Sequence, residues 1–129
     1  MFVRFVSDHS VQGQGFVAQY NCVGSESDTA VQPATGDPCN GGMTLSEMEG
    51  TIEFFDRYSK DQECTWTISC PAGSRPPTLI FTEFNTERDC DYVDVYSGTD
   101  DTGGSSTQLA HLSGAGFGAP SFSAVWYCQ

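Results

Sequence analysis

Residues 1–20 read MFVRFVSDHSVQGQGFVAQY, and their apolar pattern predicts β-structure. Apolar side chains recur at every second position in two short runs separated by a polar loop, which is typical of β-strands with one buried face. The residues that share a buried face are Met1, Val3 and Phe5 in the first run and Phe16, Ala18 and Tyr20 in the second. A strand pair of this kind has no core of its own, so we expect it to pack against the rest of the chain.

The same alternation recurs later in the chain. Trp66 and Ile68 share one face of one run, and Val93 and Val95 share one face of another. Clusters of Gly, Ser, Asp and Pro separate such runs at 71–77, 97–106 and 113–121. Many short alternating strands divided by turn residues predict an all-β antiparallel sandwich.

The chain is small and strongly acidic. Its 129 residues include 17 Asp and Glu against 5 Lys and Arg, a formal charge of −12 at pH 7. This charge argues against nucleic acid or an anionic membrane as partner and favours cations or basic surfaces. No apolar run reaches the roughly 18–20 residues of a membrane span, and Arg4 interrupts the only N-terminal apolar stretch, so no signal peptide is predicted. We therefore expect a processed segment, with Met1 not the biological start.

Six cysteines in so short a chain indicate an oxidising compartment, so we expect a secreted protein. The sequence has no Gly-x-Ser-x-Gly motif and no phosphate-binding glycine loop. His9 lies in a polar loop and His111 in a short strand, and a solvated or structural role suits both better than catalysis. The sequence therefore predicts a protein that is not an enzyme.

Several motifs after residue 38 are similar to those of the CUB domain. The segments that carry this resemblance are Cys39-Asn40-Gly41-Gly42, Cys64-Thr65-Trp66-Thr67-Ile68, LIFTEFNTERDCDYVDVYSG (79–98) and LSG (112–114). Residues 1–20 resemble the two strands that close a CUB domain, V-x-F-x-S-D and G-F-x-A-x-Y. Joining the C-terminal SFSAVWYCQ to MFVRFVSDHS gives a continuous CUB sequence, so the closing strands stand first in this chain.

The resemblance implies a CUB-like β-sandwich of the jelly-roll type in three parts. These are a closing or donor strand pair (1–20), a flexible linker (21–38) and a CUB-like body (39–129). The linker lets the strand pair fold back into its own body, as a circular permutant, or reach the body of a neighbouring molecule. The side chains that the strand pair would contribute to either assembly are Phe2, Val3, Phe5, Phe16, Ala18 and Tyr20.

The resemblance also implies a calcium site. In calcium-binding CUB domains, a Glu and an Asp around the third cysteine and the Asp of a Ser-Asp dipeptide share one ion, and the matching residues are Glu87, Asp91 and Asp8. Ser10 offers a further oxygen, and Tyr58 matches the tyrosine whose hydroxyl supports the glutamate. Several oxygen ligands suit Ca²⁺ better than Zn²⁺. The alternative is that these acids simply belong to an acidic surface.

The disulfides follow the family only in part. The resemblance implies the pair Cys39–Cys64. In the family, Cys90 would pair with a cysteine at the position that Ser113 occupies in this chain. Cys128 is the nearest cysteine that could replace that partner. The remaining pair would be Cys22–Cys70. Because six cysteines allow fifteen pairings, only the first pair follows directly from the resemblance.

Two functions fit these observations. In the first, the chain is a structural subunit that donates residues 1–20 to a neighbour and polymerises head to tail into a filament, with Ca²⁺ at each junction. In the second, residues 1–20 close their own body, and the chain is a monomeric calcium-dependent module that binds protein or glycan partners. A permuted gene is rare, whereas a donor strand with a flexible linker is a recurrent way to build extracellular fibres, so the sequence favours the first.

Overall fold

The computed structural model of the chain describes residues 1–22, 34–55, 57–71, 74–98, 106–115 and 121–123. These residues form ten β-strands and no helix. The strands are β1 (Phe2–Val6), β2 (Gly15–Asn21), β3 (Thr35–Asp37), β4 (Gly42–Leu45), β5 (Glu49–Phe55), β6 (Glu63–Ile68), β7 (Thr78–Asn85), β8 (Tyr92–Tyr96), β9 (Gln108–Leu112) and β10 (Ser121–Ser123). Within this part of the chain, no helix has the length and hydropathy needed to cross a membrane.

The strands form two sheets that pack as a sandwich. One sheet has six strands in the order β3-β4-β6-β1-β8-β9, and the other has four in the order β10-β7-β2-β5. Neighbouring strands run antiparallel, except that β4 runs parallel to β6. The all-β sandwich expected from the alternation is confirmed. The parallel pair could not be predicted, because side chains alternate in the same way in both orientations.

The two N-terminal strands occupy central positions, one in each sheet. β1 pairs with β6 on one side and with β8 on the other over its whole length. β2 lies between β5 and β7 in the same way. Without β1 and β2, four strand edges would therefore lose their backbone hydrogen-bonding partners.

The N-terminal strands also supply much of the core. All the side chains predicted to share the two buried faces are buried, namely Met1, Val3, Phe5, Phe16, Ala18 and Tyr20. The ring of Phe16 lies 5.4 Å from that of Trp66 and 5.6 Å from that of Phe81, measured between centroids. Aromatic contacts of this kind add to the stability that burial provides. Residues 1–20 are thus an integral part of the fold rather than an appendage.

Phe2 is the one predicted assembly residue that does not lie in the core. It alternates with the buried Val3 along β1, so it lies on the outer face of the six-stranded sheet. There its ring packs against Tyr96 on the neighbouring strand, with centroids 6.1 Å apart. Phe2 therefore covers the surface of the sheet and does not fill the core.

Two disulfides fasten the segments on either side of the linker. Cys22, just after β2, is bonded to Cys70, just after β6. Cys39, in the β3–β4 turn, is bonded to Cys64 in β6. Within the described residues, Cys90 forms no disulfide. Since Cys128 lies outside the described residues, a Cys90–Cys128 bond stays a prediction.

The predicted linker (21–38) is not flexible over its whole length. Asn21 still belongs to β2, and residues 35–37 form β3, which pairs with β4. All three residues of β3 are exposed, so this strand has no apolar alternation by which the sequence could have revealed it. Residues 23–33 lie outside the part of the chain that the structure describes.

Candidate metal site

Three loops meet at one end of the sandwich and bring the predicted site residues together. The strand register dictates this meeting, because Val6 at the end of β1 lies opposite Glu63 at the start of β6 and Tyr92 at the start of β8. The β1–β2, β5–β6 and β7–β8 loops therefore lie side by side. The site residues on these loops are Asp8 and Ser10, then Tyr58, then Glu87 and Asp91.

The β1–β2 loop can approach the end of β7 closely because residue 13 is glycine. A Cβ atom at Gly13 would lie 2.5 Å from the carbonyl oxygen of Asn85, closer than any side chain tolerates. Ser7, at the start of the same loop, accepts the backbone N–H of Gln62 at 2.9 Å and donates to the carbonyl of Ser59 at 2.8 Å. The loop that carries Asp8 is thus fixed on both sides.

The buried carboxylate of Asp91 joins all three loops. This residue is fully buried. Its Oδ1 atom accepts the backbone N–H of Asp8 at 2.8 Å, and its Oδ2 atom accepts the hydroxyl of Tyr58. The same hydroxyl oxygen accepts the backbone N–H of Glu87 at 3.1 Å. A buried carboxylate is stable only when such hydrogen bonds satisfy it, so Asp91 positions the other site residues.

The Tyr58 hydroxyl, which the resemblance places in support of the glutamate, contacts two site residues. It donates to Asp91 and accepts the backbone N–H of Glu87. Burial, reinforced by the hydrogen bond to Asp91, raises the pKa of Tyr58 to about 12. The hydroxyl is therefore protonated at neutral pH and available as the donor to Asp91.

The side chains of Asp8 and Glu87 converge on Ser10. The Ser10 backbone N–H and hydroxyl both contact Asp8 Oδ1, at 2.9 and 2.8 Å. The same hydroxyl lies 2.9 Å from Glu87 Oε2. The backbone hydrogen bond from Ser10, followed by the one from its hydroxyl, lowers the pKa of Asp8 below its ordinary value. Two carboxylate oxygens thus share one hydroxyl group.

The thiol of Cys90 completes this group. One carboxylate oxygen each from Asp8 and Glu87 and the Sγ atom of Cys90 all lie within 4.8 Å of one another. Burial, together with the nearby carboxylates, raises the pKa of the Cys90 thiol. From the sequence, Cys90 is predicted only to form a disulfide. The one sign of another role is that Ser113 stands where the family has the partner cysteine.

Ser113, which directly follows β9, supports the β7–β8 loop. Its hydroxyl accepts the backbone N–H of Asp89 at 2.8 Å and donates to the carbonyl of Glu87 at 3.1 Å. Asp89 has a φ of 61°, a left-handed conformation that aspartate tolerates better than most residues. The hydrogen bonds of Ser113 therefore hold the turn that presents Glu87.

Comparison with known proteins identifies the family. The family described as "CUB domain" matches residues 39–124, well over half of the chain. The chain belongs to the CUB family. Residues 1–22, which contain β1 and β2, lie outside the matched segment of this CUB chain. No solved structure matches the chain.

Three relatives illustrate the likeness. The chain is 33% identical over 104 residues to embryonic protein UVS.2 of Xenopus laevis, 32% identical over 110 residues to tolloid-like protein 1 of Homo sapiens, and 29% identical over 111 residues to zinc metalloproteinase nas-39 of Caenorhabditis elegans. These matches cover 77%, 79% and 79% of this chain, but only 17%, 9% and 10% of the relatives. The CUB domain is a non-catalytic module, so the metalloproteinase activity in the third name belongs to that protein as a whole.

Proposed function

We propose that this CUB chain is an extracellular module that binds Ca²⁺ between its β1–β2 and β7–β8 loops and presents the stabilised loops to a protein or glycan partner. The observation that carries the proposal is the contact of one hydroxyl, that of Ser10, with Asp8 Oδ1 and Glu87 Oε2 at 2.8 and 2.9 Å. A hydroxyl has a single proton, so it can donate to only one of the two carboxylates. A cation between the carboxylates would satisfy the other.

The donor atoms fit calcium. Asp8 and Glu87 offer carboxylate oxygens and Ser10 a hydroxyl, while each oxygen of Asp91 uses one lone pair for its hydrogen bond and retains another. Ca²⁺ takes six to eight oxygen ligands in flexible geometry, so backbone carbonyls and water can complete the shell. The Cys90 thiol is the only soft donor in the group, whereas sites for Zn²⁺ are rich in Cys and His.

Calcium would also relieve a local electrostatic cost. Asp8, Glu87 and Asp91 are three acids on adjoining loops of a chain with a formal charge of −12. An ion bound only by the folded arrangement stabilises that arrangement by mass action. The ion would thereby fix the loops in the conformation that meets a partner, whose surface we expect to be basic or neutral.

Secretion is supported by the disulfides. Cys22–Cys70 and Cys39–Cys64 are bonded in the structure, and such bonds persist in oxidising, extracellular surroundings. Both close long segments of chain, with sequence separations of 48 and 25 residues.

The short distance across the linker supports closure within one chain. Thr35 pairs with Thr44, which pairs with Thr67 in β6, and β6 leads to Cys70 and its bond to Cys22. Cys22 and Thr35 are thus at most about 25 Å apart. Residues 23–34 connect them and can span this distance, because an extended chain of that many residues reaches about 40 Å. For this reason we place the monomeric module ahead of the filament.

A filament built by strand donation is the second candidate. It is favoured by the central positions of β1 and β2, which pair on both edges as a donor strand would. Every contact of residues 1–20 would be the same if they came from a neighbour, and Asp8 would then bring Ca²⁺ to the subunit junction. Cys22 would in that case be bonded to Cys70 of the next subunit, so the filament would be covalent.

Isothermal titration with Ca²⁺ tests the ion site. Asp8→Ala and Glu87→Ala should each abolish or strongly weaken binding, whereas Glu83→Ala removes one exposed carboxylate from β7 and should leave binding unchanged. Equal affinity in all four proteins would show that the acids are only surface charge. In a parallel titration with Zn²⁺, tighter binding of Zn²⁺ than of Ca²⁺ would indicate that Cys90 is a ligand.

Electrophoresis without reducing agent separates the two assemblies. The closed module migrates as a single chain of 13.9 kDa. A donor-strand filament gives a ladder of covalent multimers through Cys22 and Cys70, and Cys22→Ser would collapse the ladder to monomer. The outcome does not depend on calcium, so it can fail independently of the ion site.

A further inference from the structure

β5 (Glu49–Phe55) forms an edge of the four-stranded sheet. It pairs with β2 along one side over seven residues, and none of the strands that the structure describes pairs with its other side. An unpaired edge of this length offers a row of free N–H and C=O groups to another extended chain. The β5 edge is therefore a place where strand addition can occur.

The outer side chains of β5 are acidic. Glu49, Thr51 and Glu53 are exposed, and they alternate with the half-buried Gly50 and Phe54 and the buried Ile52. Their partners on β2 are uncharged, since Glu49 lies opposite Asn21, Thr51 opposite Gln19, and Glu53 opposite Val17. The three adjacent strands β5, β2 and β7 contain no Lys or Arg. No cation on these strands therefore neutralises the glutamates of β5.

A second copy of the chain does not fit this edge. Antiparallel pairing of two β5 strands around Thr51 would set Glu49 opposite Glu53 twice, and like charges directly opposite each other destabilise a strand pair. The rest of the chain offers no basic strand either. Its five basic residues are Arg4, Arg57, Lys60, Arg75 and Arg88, and no two of them are two positions apart.

We propose that the β5 edge binds an extended basic segment of another protein by strand addition. Lys or Arg at alternate positions of that segment would lie opposite Glu49 and Glu53, with a polar residue opposite Thr51. The backbone hydrogen bonds supply affinity, and the opposite charges select the sequence and its register. This surface is separate from the loops that carry Asp8 and Glu87, so the interaction goes beyond the calcium-dependent recognition proposed above.

Fluorescence anisotropy with a labelled nine-residue peptide that contains Lys-Val-Thr-Val-Lys tests the proposal. Glu49→Gln and Glu53→Gln should each weaken binding about two- to fivefold. Charge reversal at both positions should abolish binding of this peptide and create binding of its Glu-Val-Thr-Val-Glu counterpart. The matched control is Glu83→Gln, which removes the same charge from β7, two strands away from the edge, and should change the affinity less than twofold.

A second measurement separates strand addition from simple charge attraction. Two N-methylated peptides are compared. In one, methylation removes the alternate N–H groups that face β5, and in the other it removes the N–H groups that face away from β5. One of these peptides should lose binding and the other should keep it. Equal binding of both, or equal losses in Glu53→Gln and Glu83→Gln, would overturn the proposal in favour of diffuse electrostatics. The measurements are repeated with chelator, and loss of binding without calcium would instead assign the peptide to the calcium-dependent surface.

Discussion

The backbone N–H of Asp8 donates to Oδ1 of Asp91 at 2.8 Å, although the two residues are 83 positions apart in the chain. This bond attaches the N-terminal loop to the loop that follows β7 at the point where the proposed ion would lie. The position of Asp8, and with it the geometry of the site, therefore depends on a carboxylate that is itself buried.

Asp91→Asn should destabilise the protein even without calcium. An amide has one oxygen, so it cannot accept hydrogen bonds from both Asp8 and Tyr58 in the way that the two carboxylate oxygens do. One buried group would lose its partner, and we expect the free energy of unfolding to fall by about 1–3 kcal/mol. Urea denaturation in chelator measures the change. Asp89→Asn, on the exposed part of the same loop, is the control, and equal midpoints for the two variants would contradict the assigned role.

Tyr58→Phe tests the other hydrogen bond to the same carboxylate. The ring would still pack against Phe5, whose centroid lies 4.6 Å away, but Asp91 would lose its hydroxyl donor. We expect a loss of about 1–3 kcal/mol in the free energy of unfolding, measured by urea denaturation. Tyr92→Phe removes an exposed hydroxyl and should cost far less. A Tyr58→Phe protein as stable as the wild type would show that the bond has no structural importance.

Phe16→Ala should be among the most damaging core substitutions. Phe16 is fully buried and its ring packs between Trp66 and Phe81, so we expect a loss of about 3–5 kcal/mol. The same change at Ile80, which is 39% exposed on the outer face of β7, should cost much less. Thermal unfolding compares the two variants. Similar stabilities would mean that β2 does not complete the core.

Replacement of both Cys22 and Cys70 by serine should lower the stability by about 3–4 kcal/mol, because the bond constrains a long loop in the unfolded chain. Cys90→Ser should change the stability little, since Cys90 forms no disulfide with any cysteine among the described residues. Urea denaturation measures both effects. A loss in Cys90→Ser as large as that in the double variant would instead establish the predicted Cys90–Cys128 bond.

The sandwich could be predicted from the sequence because each of its main strands buries one face and exposes the other. Val3 and Phe5 alternate with outward-facing neighbours, as do Val93 and Val95, and burial enforces that period. The three exposed residues of β3 lack such a period, and only their hydrogen bonds to β4 make them a strand.

The residues of the candidate site were found through the family resemblance, not through periodicity. Their distances depend on the register of strands that are far apart in the chain, which no local pattern records. Two features therefore escaped prediction: the Tyr58 hydroxyl donates to Asp91, and the Cys90 thiol lies beside Asp8. Both depend on which side chains the loops bring together after folding.

Native mass spectrometry of the unreduced protein in the presence of Ca²⁺ tests whether the chain is a calcium-binding monomer, because one spectrum reports both the number of chains and the number of ions. We predict a single chain of 13.9 kDa that carries one Ca²⁺, and a single chain without the ion when Asp8 is replaced by alanine. A spectrum with covalent multiples of the chain, or with a monomer that takes up no calcium, would contradict the account.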